Sequence, residues 1–255
     1  MKQYTIDDLR DILVRLRGEN GCPWDRVQTH ETIKKSMIEE TYEVIDAIDA
    51  GDDAMFANEL GDLLLQVVFH ARIAEERGAF NFDTVVNEIC TKLISRHTHV
   101  FGGDEAKNAE EALGAWERNK KKEKGQKTAS EVVCDVPHSL PALLRAEKVQ
   151  KKAASFGFDW RSEEGVYEKL AEETEEVRAA KTPEETEEEI GDLLFAAVNL
   201  ARHLKVTPEI ALAKAVDKFS RRFVRMERAA AEKGHALEEL SLEEMDKIWE
   251  EIKEK

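Results

Sequence analysis

Proline and glycine are scarce in this chain of 255 residues, which has 5 prolines and 13 glycines. All-β sandwiches and barrels need many turns, and turns use these two residues heavily. Their scarcity, together with a charged content of 36%, therefore favours helices over a sandwich or barrel. The hydrophobic content of 42% is enough for a packed core, and the length allows one large domain or two of ordinary size.

Cysteine and long apolar runs are also rare. Cys22, Cys90 and Cys134 are scattered without C-x-x-C spacing, which predicts free thiols in a reducing compartment. The longest apolar run, residues 63–74, is interrupted by polar side chains and is too short to span a bilayer. Residues 1–5 lack the apolar character of a signal peptide. These features predict a soluble cytoplasmic protein with no membrane partner.

Basic residues are outnumbered, with 38 Lys and Arg against 54 Asp and Glu, and the formal net charge is −16. A nucleic-acid backbone requires a basic surface, so this balance argues against nucleic acid as a partner. A small phosphorylated ligand remains compatible with it, provided that a metal ion or a local Lys/Arg group offsets the charge.

The most informative feature present is a carboxylate pattern that occurs twice. Each copy reads E-E-x-x-E, then a gap, then E-x-x-D, and further matches continue in the same order along the chain. The first copy comprises Glu39, Glu40, Glu43, Glu59 and Asp62, and the second comprises Glu172, Glu173, Glu176, Glu189 and Asp192. Such a self-match predicts tandem homologous domains. The gap is three residues shorter in the second copy, which we interpret as a shorter loop.

The joint between the copies is predicted from composition. Charged residues, glycine and proline without apolar periodicity fill the stretch around 121–141, as in a linker. The predicted organisation is an N-terminal domain at 1–124, a linker at 125–138 and a C-terminal domain at 139–255. Helical periodicity and the lack of alternating strand patterns predict an all-α fold with four or five bundled helices per repeat. The helix at about 54–76 is apolar on nearly every side, which predicts burial.

Helical spacing places the acidic residues on shared faces. Glu40 and Glu43 lie on one face of their helix, and Glu59 and Asp62 lie on one face of the next. A short turn between antiparallel helices brings the two pairs together, where they repel unless a cation lies among them. Oxygen-only ligation favours magnesium, with manganese as a substitute, over zinc. The alternative is that these glutamates are solvated surface residues. Recurrence, and the predicted burial of the helices that carry Asp62 and Asp192, weigh against it.

Cations and tryptophans also recur. Both copies have a K-x-x-x-R pair, which presents two cations on one helix face and suits phosphate binding, although such a pair alone is usually solvated. Each copy then has a tryptophan followed one turn later by a lysine, either as core or as a stacking surface with a polar contact. The first set is Lys92, Arg96, Trp116 and Lys120, and the second is Lys218, Arg222, Trp249 and Lys253.

Together these residues resemble the MazG family of nucleoside triphosphate pyrophosphohydrolases over nearly the whole chain. The strings that carry the resemblance are the paired E-E-x-x-E and E-x-x-D, LLQVVFHA at 64–71, RHTHVFG at 96–102 and GFDW at 157–160. The resemblance implies tandem all-α domains, a homodimer, magnesium-dependent hydrolysis of nucleoside triphosphates to monophosphate and pyrophosphate, broad tolerance of the base, and a housecleaning role. In some members only the C-terminal copy is catalytic, but here both copies keep the full set.

The resemblance also implies roles for individual residues. The metal ligands are Glu173, Glu176, Glu189 and Asp192, with Glu40, Glu43, Glu59 and Asp62 matching them in the first copy. The nucleotide contacts of the second copy are two segments, 169–173 (beginning with Lys169) and 185–188, and four single residues, Lys218, Arg222, Trp249 and Lys253. The residues that match these four in the first copy are Lys92, Arg96, Trp116 and Lys120. We expect Glu172, or Glu39 in the first copy, to orient the attacking water as a general base.

Two alternatives remain open from the sequence. The first keeps the fold and narrows the substrate to dUTP, dCTP or phosphoribosyl-ATP, although the tandem repeat and the Trp-Asp strings favour the MazG family. The second is a helical regulator that binds a nucleotide, or holds a metal structurally, without catalysis. Retention of both the acidic and the basic residues argues against it.

Overall fold

The computed structural model describes residues 3–253, and within that range the regular elements are helices, with no strand. The chain divides between Glu123 and Lys124 into two compact units. This confirms the predicted all-α class. Each unit contains five helices longer than ten residues, as predicted, and the additional helices are short. None of the helices in residues 3–253 has both the length and the apolarity needed to cross a bilayer.

The first unit is organised around a long helical hairpin. Its helices are α1 (Ile6–Arg17), α2 (Pro23–Val27), α3 (His30–Ala50), α4 (Asp53–Glu76), α5 (Phe82–Arg96), α6 (Thr98–Phe101) and α7 (Ala109–Glu123). Helices α3 and α4 form the hairpin, α1 packs on α4, and α5 packs on α4 and α7. The core joins Leu13 of α1, Ile33 of α3, and Val68 and Phe69 of α4.

The second unit repeats the hairpin with different helices around it. Its helices are α8 (Ala129–Cys134), α9 (Ala142–Ala154), α10 (Glu163–Ala179), α11 (Pro183–His203), α12 (Pro208–Glu232) and α13 (Leu242–Lys253), with a short 3-10 turn at Leu237–Glu239. Helices α10 and α11 form the hairpin, and α9 packs on α11. A second core joins α12 and α13 through Met226, Ala230, Ile248 and Ile252.

The segment predicted as a linker, 125–138, lies in the second unit and carries α8. Thr128 begins this helix with a capping box to Glu131, and α8 packs on α9. Val136 is only 4% exposed, and Lys152 of α9 donates a hydrogen bond to the carbonyl of Val132 at 2.7 Å. The composition of the segment concealed this structure because its few large apolar residues are three valines that follow a charged run.

The turn of each hairpin is fixed by local chemistry. After α3, Gly51 adopts a left-handed conformation (φ 67°), and the Asp52 carboxylate then accepts from the backbone amides of Ala54 and Met55 to begin α4. In the second unit, Thr182 and Glu185 form a capping box and Pro183 occupies the first turn of α11. These caps determine where the second helix of each hairpin begins, and therefore where its carboxylates lie.

The gap between E-E-x-x-E and E-x-x-D is shorter in the second copy, but the predicted reason, a shorter loop, is wrong. The loop is not shorter in the second copy, because residues 180–182 connect α10 to α11, whereas only Gly51 and Asp52 connect α3 to α4. The helix is shorter instead: α10 ends three residues after Glu176, whereas α3 ends seven residues after Glu43. Four residues are close to one helical turn, so the direction in which the helix ends is nearly preserved.

The prediction that α4 is buried on every side is wrong for its first half. Phe69 and Ala74 of its second half are buried, but Leu60 and Leu64 are 42% and 41% exposed. Helix α11 shows the same division, with Val198 buried and Leu194 54% exposed. Each hairpin therefore leaves an apolar face uncovered by its own unit, on the half of the helix that carries the acidic residues.

Candidate metal and nucleotide site

Three glutamates converge in the hairpin of the second unit. Glu173 and Glu176 lie one turn apart on α10, and Glu189 lies on α11. One oxygen of each carboxylate lies within 4.8 Å of the other two. This arrangement provides an all-oxygen set of donors from two helices, which is the kind of site that a hard divalent cation takes.

Glu173 is the most constrained member of this triad. It is 4% exposed, and its Oε2 is buried without a hydrogen-bond partner, whereas its Oε1 lies 2.7 Å from the Nζ of Lys169. A buried carboxylate oxygen without a donor is costly, and a cation or a hydrogen bond relieves the cost. The donor set therefore fits a divalent cation, and the unpaired Oε2 of Glu173 is the atom that most needs one.

The pKa values of the second triad indicate the same crowding. The pKa of Glu176 lies above its ordinary value because of desolvation and the nearby Glu173 carboxylate. Desolvation, Glu173 and Asp192 likewise raise the pKa of Glu189. These carboxyl groups are thus harder to ionise together than isolated glutamates, as expected where acids converge without a cation.

The first unit forms the equivalent triad from Glu40, Glu43 and Glu59, again with oxygens within 4.8 Å of one another. The pKa of Glu40 is raised by desolvation and then by Glu43, Asp62 and Glu59. Both repeats therefore assemble the predicted glutamate ligands at one point.

The aspartates stand apart from the triads. Neither Asp62 nor Asp192 contributes an oxygen to them, although each raises the pKa of a neighbouring glutamate. Asp62 is half-buried and accepts a hydrogen bond from the amide of Asn58 at 3.3 Å, and Asp192 is exposed. The expectation that both lie on buried helices is wrong, because the uncovered apolar face of each hairpin reaches their positions.

The glutamates expected to orient water lie beside the triads and are paired with lysines. Glu172 lies 2.9 Å from the Nζ of Lys169, and Glu39 lies 2.7 Å from the Nζ of Lys35. Both glutamates are exposed, so both are accessible to solvent.

The register of the repeat also reveals differences that the motif comparison missed. Ser36 stands where the second copy has Lys169, and Asn58 stands where it has Glu188. Glu188 adds to the effects that raise the pKa of Glu189. The signal was present in the alignment of the two copies, about one turn before E-E-x-x-E and immediately before E-x-x-D, but that comparison was confined to the residues that match.

In the first unit, the predicted cations and tryptophan form a cluster. Arg96 makes two hydrogen bonds to the Glu123 carboxylate, both at 2.9 Å, and its guanidinium carbon lies 5.4 Å from the centre of the Trp116 ring. The Nζ of Lys120 lies 4.6 Å from the same ring. Lys92 lies 3.7 Å from Glu88 on its own helix. Trp116 is thus enclosed by cations, and Arg96 already holds a carboxylate.

In the second unit, Lys218 and Arg222 form no ion pair with any residue in 3–253. Trp249 lies 5.2 Å from the ring of Phe219 and packs against the core between α12 and α13. Lys253 pairs with Glu250 on its own helix. Trp249 therefore has a structural role, and its half-buried ring leaves part of one surface accessible beside the exposed Phe219.

Glu185, within the 185–188 segment implied as a nucleotide contact, has a structural task. Its Oε2 accepts hydrogen bonds from the backbone amides of Lys181 and Thr182, at 2.7 and 3.3 Å. This carboxylate begins α11 and is occupied by the helix terminus.

Comparisons with known proteins match both repeats. A family model described as the MazG nucleotide pyrophosphohydrolase domain matches twice, at residues 28–101 and 161–227. A protein of Thermotoga maritima named nucleoside triphosphate pyrophosphohydrolase/pyrophosphatase MazG is 49% identical over 255 residues, covering 99% of this chain and 98% of that protein. A nucleoside triphosphate pyrophosphohydrolase of Escherichia coli K12 is 48% identical over 254 residues, covering 97% of each. The uncharacterized protein YabN of Bacillus subtilis is 47% identical over 98% of this chain and 52% of its own length.

Proposed function

Because the chain belongs to the MazG family of nucleotide pyrophosphohydrolases, we infer that it is a hydrolase that cleaves nucleoside triphosphates to monophosphates and pyrophosphate. We propose further that the reaction requires magnesium, that manganese substitutes for it, and that the enzyme tolerates different bases. The observation that carries the proposal is the buried, unpartnered oxygen of Glu173 within a triad of glutamates.

The proposed ligands are Glu173, Glu176 and Glu189, with Asp192 near enough to influence them, and the corresponding residues of the first copy. A divalent cation held there offsets the charge of the phosphates and polarises the phosphorus that is attacked. The carboxylates position this charge on two rigid helices, so little reorganisation is needed when the substrate binds.

The remaining residues act on water and on the leaving group. Glu172 is exposed beside the triad, where a carboxylate can accept a proton from the attacking water once Lys169 no longer occupies it. Lys218 and Arg222 lie one turn apart on α12, and both are available to the negative charge that develops on the leaving pyrophosphate. No covalent nucleophile is required.

Broad base tolerance is supported by the type of surface beside these cations. The rings of Phe219 and Trp249 lie together, and Phe219 is on the same helix as Lys218 and Arg222. Stacking on aromatic rings contributes about 1–3 kcal/mol per base and is similar for all bases. A housecleaning role in the cytoplasm, which removes unwanted triphosphates of several kinds, is consistent with such a surface.

A homodimer is proposed from the uncovered apolar faces. Helix α12 exposes Leu212 and Val216 one turn apart, each by more than half. Exposed apolar residues arranged as a stripe generally mark an interface, whereas isolated ones do not. The acidic half of each hairpin carries similar residues, so a second copy of the chain would bury apolar surface close to the proposed site.

The test is pyrophosphate release by the full chain with a panel of ribo- and deoxyribonucleoside triphosphates. We expect release with magnesium and several bases, and loss on addition of a chelator. The quadruple variant with Glu40, Glu43, Glu173 and Glu176 changed to Gln should lose activity by at least about a hundredfold. Retained turnover in that variant would refute the site, and nucleotide binding without pyrophosphate release would refute the activity. Turnover of dUTP, dCTP or phosphoribosyl-ATP alone would refute broad tolerance.

A further inference from the structure

Lys169 occupies the second triad in a way that a cation would have to disturb. Its Nζ lies 2.7 Å from Oε1 of Glu173 and 2.9 Å from Oε1 of Glu172. The Glu173 side chain is 5% exposed and that of Lys169 is 32% exposed. The ammonium group is therefore the counter-ion of the buried ligand, and the other Glu173 oxygen has no partner.

The first triad has no such lysine. Ser36 takes the position that corresponds to Lys169, one turn before Glu40. The nearest lysine in sequence, Lys35, is 83% exposed and pairs with Glu39. Among residues 3–253, no lysine or arginine forms an ion pair with Glu40. One chain thus contains the same three glutamates with and without an internal ammonium group.

We propose that Lys169 is a positioning residue that couples cation binding to nucleotide binding at the second triad. The inference rests on the proposed function, since it concerns the same cation and the same triphosphate. A cation that binds the free Oε2 of Glu173 lies on the same carboxylate as the ammonium group at Oε1, and the two cations repel each other, so entry of the cation alone weakens the pairing of Lys169 with Glu173. The ammonium group is then left with Glu172 as its remaining partner.

A triphosphate changes this balance. Its anionic oxygens supply the released ammonium group with a new partner, so the cation and the nucleotide enter together more favourably than either does alone. Coupling of this kind is reciprocal: the nucleotide must strengthen cation binding by the same factor as the cation strengthens nucleotide binding. At the first triad, where Ser36 carries no charge, no ammonium group repels the cation.

The experiment measures Mn²⁺ binding by electron paramagnetic resonance in the full-length protein, with Glu40→Gln and Glu43→Gln silencing the first triad. Each variant is titrated alone and with an α,β-methylene triphosphate, which cannot be cleaved between the first two phosphates. The variants are Lys169→Ser, which copies the first repeat, and Lys169→Arg, which keeps the charge. The control is Lys151→Ser, which removes a 70% exposed lysine of the same unit. Circular dichroism checks that helix content is unchanged.

We expect Lys169→Ser to tighten Mn²⁺ binding without nucleotide by about tenfold and to reduce the strengthening produced by the analogue by a similar factor. Lys169→Arg should restore most of the coupling, and Lys151→Ser should behave as its parent. Equal Mn²⁺ affinities and equal coupling in the Lys169→Ser and Lys151→Ser variants would overturn the inference and leave the proposed function intact. Absence of Mn²⁺ binding in every variant, with and without the analogue, would overturn both.

Discussion

In the first unit, Arg96 holds the Glu123 carboxylate and lies against Trp116, whereas its counterpart Arg222 in the second unit has no ion pair with any residue in 3–253. The glutamate triads of the two units differ in the opposite sense. The second triad contains a lysine on its buried glutamate, and the first triad has none. In the first repeat an internal partner therefore engages the basic residues of the site, and in the second repeat one engages the glutamate triad.

The difference shows that two copies of the same residues need not be equally prepared to bind a nucleotide and a cation. In the second unit, Lys218 and Arg222 have no ion pair among residues 3–253, and Lys169 partly neutralises the triad, so under the proposed function a nucleotide would give the first two a partner and a cation would complete the neutralisation. In the first unit, a phosphate bound at Arg96 would have to compete with Glu123. We therefore expect the second repeat to carry most of the turnover, although both keep every glutamate of the triad.

The largest expected effect separates the two repeats directly. Glu176→Gln should reduce total pyrophosphate release by at least about tenfold, because it removes a proposed ligand from the repeat in which Lys218 and Arg222 have no ion pair among residues 3–253. Glu43→Gln, the matched change in the first repeat, should reduce release by less than about twofold. Steady-state assays of both variants with the same triphosphate decide the matter. A greater loss in the Glu43→Gln variant would reverse the assignment.

A second variant makes the first triad resemble the other. Ser36→Lys places an ammonium group one turn before Glu40 and should weaken Mn²⁺ binding to the first triad by about fivefold in the absence of nucleotide. The measurement uses a Glu176→Gln background, so that the signal comes from the first unit. Ser36→Gln is the control for side-chain size, and equal weakening by both substitutions would show that charge is not the cause.

Removal of the internal carboxylate should activate the first repeat. Glu123→Gln breaks the paired hydrogen bonds on Arg96, and we expect about a threefold rise in pyrophosphate release in the Glu176→Gln background, which suits a partly exposed ion pair. Glu110→Gln, an exposed residue on the same helix, is the control. An unchanged or lower rate in the Glu123→Gln variant would mean that Glu123 supports Arg96 and does not compete for it.

The smallest expected effect concerns pH and stability. The pKa of Glu176 is raised in the folded chain, so the folded state binds this proton more tightly than the unfolded state does. Ionised Glu176 therefore costs stability above its raised pKa, and this cost disappears as the pH falls through that value toward the ordinary glutamate pKa. With chelator present, Glu176→Gln should raise Tm by a small amount near neutral pH.

The pH dependence of the same variant, Glu176→Gln, tests the predicted direction of the change in Tm. The gain in Tm over the parent should shrink to nothing as the pH is lowered below the ordinary glutamate pKa, and saturating Mn²⁺ should reverse it at neutral pH. Glu168→Gln, an exposed change on the same helix, should show neither trend. A gain that persists at acidic pH would mean that the effect arises from packing.

Much of the fold was predictable because it follows from local rules. The i, i+3 spacing of Glu173 and Glu176 determines a shared helix face, and the short turn after each first helix determines that the hairpin closes on itself. The two glutamate triads follow from these rules together with the repeat. Helix α8 was missed because it packs on α9 and is followed by the buried Val136, and composition does not reveal such tertiary contacts.

The ion-pair partners of the charged residues were harder to predict from the sequence. The pairing of Arg96 with Glu123 joins residues that are distant along the chain, and nothing in their spacing indicates it. The exposure of Asp192 depends on which face of α11 its own unit covers, a property of packing. The contact between Lys169 and Glu173 was within reach, since i, i+4 spacing of opposite charges is a local signal.

The difference in hairpin length between the repeats has a consequence for how such a chain can change. Each residue removed from the end of α10 would rotate its terminus by about 100°, so a single deletion would turn α11 away from Glu176, whereas the loss of about one turn restores the direction. The second hairpin obeys this restriction, because α10 is four residues shorter than α3 and its loop is one residue longer. We therefore expect α3 and α10 to tolerate insertions and deletions whose length is close to a whole number of helical turns, and not those of intermediate length. The spacing between the two acidic motifs is accordingly restricted to a few discrete values.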